Sequence, residues 1–450
     1  MNAIIQFVET CCKRMTDEMR ATSRSVKSFT QSSLAKNIVS LYLVRGVNYV
    51  LPLLVLPYLF RMLGPRAYGA IVFAQSLMAY VALITDFGFS LSATRAVSLV
   101  REDHAQLAKL FWTILAAKVL LLVAMGAVIV LAVFIVPELR AHAKIIFICG
   151  LSVIGSVVLP QWYFQGLEKM SAMAWIQAVS KVLGLLPIVF FVHSSRNQFT
   201  AAMLLSAPSL IGGVVCLSIV KYVAPVSRYR PTLREIREAY ADSRHLFVSN
   251  VATSAYVTGN ALILGFVSGD AAVAIYSVAN RVALAAFSFF SPVIQATFPR
   301  ASLLFGRSLA DAKSFVRRIS VVLVAGSAVI SALLFIFARE IVAVIAGPRY
   351  ATAIPVLRVM SLLPIVVCVA TILAQIVMVN IGLSRALSRI YIFMAVVSFT
   401  VMPILGGRFG ALGGASALMI VEALGPLIMV GVIYLSRGAI YSRTSIVTRK

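Results

Sequence analysis

SLYLVRGVNYVLPLLVLPYLF, residues 40–60, reads as one apolar helix that carries an arginine, Arg45, about a quarter of the way along. About 20 predominantly apolar residues in helical form cross the ~30 Å hydrocarbon core of a bilayer. Runs of this kind recur through all 450 residues, of which 61% are hydrophobic and 12% charged, with mean hydropathy +0.97. A helix satisfies its own backbone hydrogen bonds in lipid. Membrane β-strands would instead show alternating segments of about ten residues. The fold class that follows is an all-α polytopic membrane protein.

Twelve candidate spans lie at 38–60, 69–93, 110–136, 144–165, 173–193, 201–223, 245–267, 272–298, 316–338, 352–380, 388–406 and 411–435. An even number puts both termini on one side. With the termini cytoplasmic, the cytoplasmic segments hold 27 of the 40 Lys and Arg and the outer loops hold 9. That asymmetry supports the termini-inside orientation. It also accounts for most of the +25 net charge without a nucleic-acid partner. The first 36 residues are basic, lack a long apolar core, and read as a cytoplasmic tail rather than a signal peptide. Cys11, Cys12, Cys149, Cys216 and Cys368 show neither metal-ligand spacing nor a disulfide framework. No metal site and no cofactor is expected, and His104, His142, His193 and His245 read as surface residues at span ends.

The longest polar segment between spans carries Arg228, Arg230, Arg234, Arg237 and Arg244 and sits at the midpoint. A shift of 205 residues aligns Gly64 with Gly269, Ala67 with Ala272, Ala74 with Ala279, and Arg95-Ala96 with Arg300-Ala301. Spans one and two then fall on spans seven and eight. The implied plan is an N-terminal tail (1–36), an N-lobe of six spans (37–223), a cytoplasmic linker (224–244), a C-lobe of six spans (245–435) and a tail (436–450). Parallel repeats of this kind place a site between the lobes. The glycines of GGRFGALGG (406–414) read as a close helix-packing face.

A charge at the membrane centre costs about 2.5–3.5 kcal/mol on insertion scales, so such residues usually face a bundle interior or a wet cavity. Arg45 shares a helix face with Asn37, Ser40, Asn48 and Pro52. Asp86 lies on a stripe with Gln75. Span eight gathers Ser277, Asn280, Arg281, Ser288, Ser291 and Gln295 on one side. The interior cations Arg45, Lys118, Lys181 and Arg281 outnumber the clearest acids, Asp86 and Glu422. A cleft lined by one sign of charge attracts the opposite sign. The candidate substrate-binding residues are therefore Arg45, Asn48, Arg281, Asn280, Lys118 and Lys181. Each has a plainer reading. Lys118 and Lys181 can snorkel to the interface. Arg45 and Arg281 can form helix-locking ion pairs, with Asp86 as a partner. Asp86 is also the candidate for coupling to a proton or sodium gradient.

Two stretches carry more than composition: LFRMLGPRAYGAIVFAQSL (59–77), running on to DFGFSLSATRAVS (86–98), and PQWYFQGLEKM (160–170). Together they resemble the polysaccharide flippase family of the O-antigen and exopolysaccharide type. That family shares the MOP superfamily with MATE multidrug exporters and the lipid II flippase. The resemblance implies two six-helix lobes around a central cationic cavity in the bacterial inner membrane. It implies, as substrate, an undecaprenyl-pyrophosphate-linked oligosaccharide repeat unit, flipped from the inner to the outer leaflet for polysaccharide biosynthesis. Membrane lipids, a polysaccharide polymerase and glycosyltransferases would be its partners. A pyrophosphate is a dense anion that arginine matches well. A MATE-type cation-coupled drug exporter would need an acidic cavity. A membrane glycosyltransferase or polymerase would need a sizeable outer loop with catalytic carboxylates. This interior is basic and its outer loops are short, so the chain reads as a transporter and not an enzyme.

Overall fold

The computed structural model describes residues 33–223 and 226–436; side chains of 33–53 and most of 246–258 lie outside that description. All secondary structure among the described residues is helical. Twelve spans can be traced among the described residues. Span one is 33–63. Span two is 65–86, continued by Phe89–Leu99. Spans three to six are His104–Ile135, Ala143–Val158 with Gln161–Gly166, Met170–Phe191 and Gln198–Val223. Span seven is 233–268, and span eight is 270–288 with Ser291–Arg307. Span nine is Leu309–Ile336. Span ten joins Ala353–Met360, Leu363–Thr371 and a π-helical turn, Ile372–Met378. Spans eleven and twelve are 384–409 and 411–435.

Three pairs of spans are hairpins made at one glycine. Gly64 (φ 73°, ψ 174°) and Gly269 (φ 76°, ψ 178°) adopt the same backbone conformation. That region is essentially closed to residues with a Cβ. The 205-residue shift superposes these two turns. It also superposes two helix starts. Asp103 caps span three by accepting from the amides of Ala105 and Gln106, and Ser308 caps span nine by accepting from that of Asp311. The reversals are sharp. Phe60 and Tyr68, eight residues apart, bring their rings to 4.7 Å, where a straight helix would separate them by roughly 12 Å. A methyl on Gly413 would sit 1.8 Å from the Leu405 carbonyl oxygen across the third turn. That turn is at Gly410, so the glycine run divides its labour: Gly410 breaks the helix, while Gly406 and Gly414 pack closely against Leu264.

We call the face with these glycine turns distal, and the face where the described chain starts and ends proximal. One apolar cluster fills the distal half and joins both lobes, with Leu59, Ile71 and Ile146 against Leu264, Val273 and Leu357. The proximal half is divided. Phe89, Phe111 and Trp162 form an N-lobe cluster, while Ile294, Leu323 and Cys368, and separately Met394, Val421 and Met429, belong to the C-lobe. The two lobes thus share one distal cluster and have distinct proximal ones, joined there by the start of span seven.

The midpoint segment is helical from Leu233. Thr232 accepts from the Glu235 amide and the Glu235 carboxylate accepts from the Thr232 amide, a capping box that starts the helix. Its first turns dock on the N-lobe. Ile236 joins the N-lobe cluster, Tyr240 Oη donates to Ala117 O at 2.7 Å, and Phe247 stacks on Phe87 at 4.3 Å. The segment expected as a linker is therefore largely the docked beginning of span seven.

Candidate functional site

Asp86 ends the long helix of span two, just before Phe87 (φ 46°) and Gly88 (φ 80°) break it. Lys118 lies 14 residues into span three, which begins at His104 rather than near 110, so it stands roughly 21 Å along that helix. It is packed inside the protein, 4% exposed. Its Nζ meets Asp86 Oδ1 at 3.2 Å. The interior partner of Asp86 is therefore Lys118, supplied by the next antiparallel span. Arg45 and Asn48 lie outside the residues whose side chains are described.

Arg281 and Asn280 are half-buried on span eight. Lys181 stands apart. It lines a crevice of about 110 Å³ inside the N-lobe with Ser156, Gln177 and Ser209. The structure thus unites Lys118 with Asp86, leaves Arg281 and Asn280 half-buried on span eight, and sets Lys181 apart from that pair. Glu422 sits beside a buried polar group in the C-lobe, where Ser398 Oγ donates to Asn260 Oδ1 at 3.1 Å and Tyr276 bonds to Asn260.

The 86–98 and 160–170 segments quoted for the family resemblance pack together. Gly166, in the second, packs so tightly that a methyl there would lie 2.6 Å from Val97. Thr94 Oγ1 donates to Trp162 O, and Trp162 packs on Phe111. The first stretch forms the distal turn and half of the lobe seam.

Sequence reasoning missed what closes that seam. His142 Nε2 meets Asp270 Oδ2 at 2.9 Å, N-lobe to C-lobe, while its Nδ1 lies 2.7 Å from Glu138 O. With acceptors on both nitrogens the ring is suited to the imidazolium form. The Asp270 hydrogen bond raises its pKa above the ordinary 6.5, against partial burial, which lowers it. Arg61 also donates to the Val344 carbonyl across the seam. A methyl on Gly69 would lie 1.8 Å from Asp270 O. Tyr68 and Tyr350, one from each lobe, are both buried, the first edge-on and the second tilted against Phe60, with hydroxyls that have no hydrogen-bond partner among the described residues. One signal could have found the latch: Asp270 directly follows Gly269, the glycine aligned with Gly64.

A family model described as polysaccharide biosynthesis protein matches residues 34–305. A protein of Escherichia coli (strain K12) named "Putative O-antigen transporter" is 30% identical over 393 residues, spanning 87% of this chain and 94% of its own. A protein of Shigella dysenteriae with the same name is 30% identical over 402 residues, 88% of this chain and 99% of its own. In shape, an inward-facing MATE-family multidrug resistance transporter matches with TM-score 0.67 at 15% identity, over 90% of this chain and 99% of that one. The lipid II flippase MurJ in an inward closed conformation matches with TM-score 0.63 at 13% identity, over 88% and 87%. An outward-facing MATE-family structure scores 0.53, at 15% identity over 92% and 95%. These likenesses in shape concern the fold.

Proposed function

Since this chain belongs to the polysaccharide biosynthesis protein family, we propose that it flips an undecaprenyl-pyrophosphate-linked oligosaccharide repeat unit across the bacterial inner membrane by alternating access. The likeness to two O-antigen transporters over nearly the whole chain carries the substrate class. The sealed distal half and the divided proximal half support the mechanism, because two such lobes can rock about the seam. The excess of cations on one side supports cytoplasmic termini, and on that reading the distal face is external. The substrate then enters from the cytoplasmic side, with its lipid tail left in the bilayer. Its pyrophosphate meets the interior cations, Arg281 on span eight and Arg45 on span one.

Energy comes from a proton or sodium gradient. Asp86 is the coupling group, and it acts through Lys118, whose charge is freed when the carboxylate is neutralised. Transport by Asp86→Asn that responded to collapsed gradients as the parent does would remove this assignment. The overall reading is tested by expression in a bacterium lacking its own polysaccharide flippase. We expect surface glycan to return, and to be lost again with Arg281→Ala at equal protein level. Unrestored glycan together with a drug-resistance phenotype would contradict the reading.

A further inference from the structure

Cations are usually withheld from external loops, yet four of the nine in the distal loops converge on one cavity of about 840 Å³. They are Arg66, Lys144, Arg196 and Arg349. The cavity's one carboxylate, Asp270, is already held by His142. Lys144 lies over the Phe199 ring at 4.1 Å. Arg66, Arg196 and Arg349 are in no ion pair among the described residues. A solvated loop arginine ordinarily needs no explanation. Here, though, turns from both lobes gather several of them around a concavity, whose walls concentrate the field. Ser195 and Gln198 add neutral donors to the same wall. The volume falls in the range of small-ligand sites, and guanidinium groups match phosphate oxygens two at a time.

We infer that this distal cavity binds a phosphate or pyrophosphate group, either free or as the headgroup of a lipid. It lies on the opposite face from the proximal entrance proposed for transport, and only binding that is lost in Arg196→Gln and Arg349→Gln but kept in Arg281→Ala belongs to it, so the two claims fail separately. Arg349 and Asp270 come from the C-lobe and the other charged groups from the N-lobe. The cavity in this form exists only while the seam is shut, so a bound anion favours the shut state.

The test is calorimetric titration of the purified full chain, in uncharged detergent, with inorganic pyrophosphate and with farnesyl pyrophosphate. Saturable binding is expected that weakens with salt. Loss of one charge-assisted contact in Arg196→Gln or Arg349→Gln should weaken it about tenfold. Arg408→Gln, on the same face but outside the cavity, should leave it unchanged. Tighter binding of the farnesyl ester would assign the site to a lipid headgroup, and equal binding to the phosphate group alone. Absence of saturable binding to either probe, or an equal loss in Arg408→Gln, would overturn the inference.

Discussion

At the scale of single residues, the pair formed by Lys118 and Asp86 makes an asymmetric prediction. The lysine side chain is 5% exposed and the aspartate 30%. Breaking a buried ion pair leaves one charge uncompensated, which typically costs 3–5 kcal/mol, about the upper limit here because Asp86 keeps some solvent. Asp86→Asn, which strands the deeper charge, should destabilise the protein more than Lys118→Met. The double variant should recover most of the loss. Thermal unfolding of the three variants in detergent checks this, and equal, additive losses would show that the pair is not coupled. Asp86 was legible as a buried acid because it is isolated in an apolar run. Its partner was not, because Lys118 seemed to lie near the start of span three until the Asp103 cap set that start at His104.

At the scale of elements, the hairpins rest on glycines, and here sequence and structure agree closely. The repeat was visible in a handful of identities, among them Gly64 and Gly269, and these prove to be the two turns with matching dihedrals. The identity of the linker was less legible. Arginines at 228–244 suggested a polar loop, but the capping box at Thr232 and the apolar contacts of Ile236 and Tyr240 turn most of it into docked helix. No local pattern announces a docking surface that only the neighbouring lobe supplies. The turn of span one into span two also provides a probe of conformation. Gly69 approaches Asp270 so closely that Gly69→Ala cannot be accommodated with the seam shut. We expect that variant to shift the protein toward an outward-open form, read as faster labelling of a cysteine placed at Ala67. Unchanged labelling would show that the seam yields without opening.

At the scale of the whole molecule, the seam is sealed distally, and the His142–Asp270 bridge makes its closure depend on the pH at that face. In the shut state the Asp270 hydrogen bond raises the His142 pKa above the ordinary 6.5; with the lobes apart that partner is lost. The bridge therefore contributes fully below about 6.5, and its contribution falls as pH rises through the raised value. The groups facing His142 are Asp270 and the Glu138 carbonyl, with Arg66, Lys144, Arg196 and Arg349 around the same cavity. Distances between spin labels on the two lobes should show more of the shut form in acid. His142→Gln should flatten that dependence, and a dependence that survived would assign it elsewhere. The most direct test of flipping itself uses the purified protein in liposomes loaded with a lipid-linked, pyrophosphate-bearing oligosaccharide. Exposure of the glycan to a non-permeant glycosidase is followed over time. The account predicts that the initially protected fraction becomes accessible with the parent protein and stays protected with Arg281→Ala. Equal exposure in protein-free liposomes, or an undiminished rate in Arg281→Ala, would contradict it.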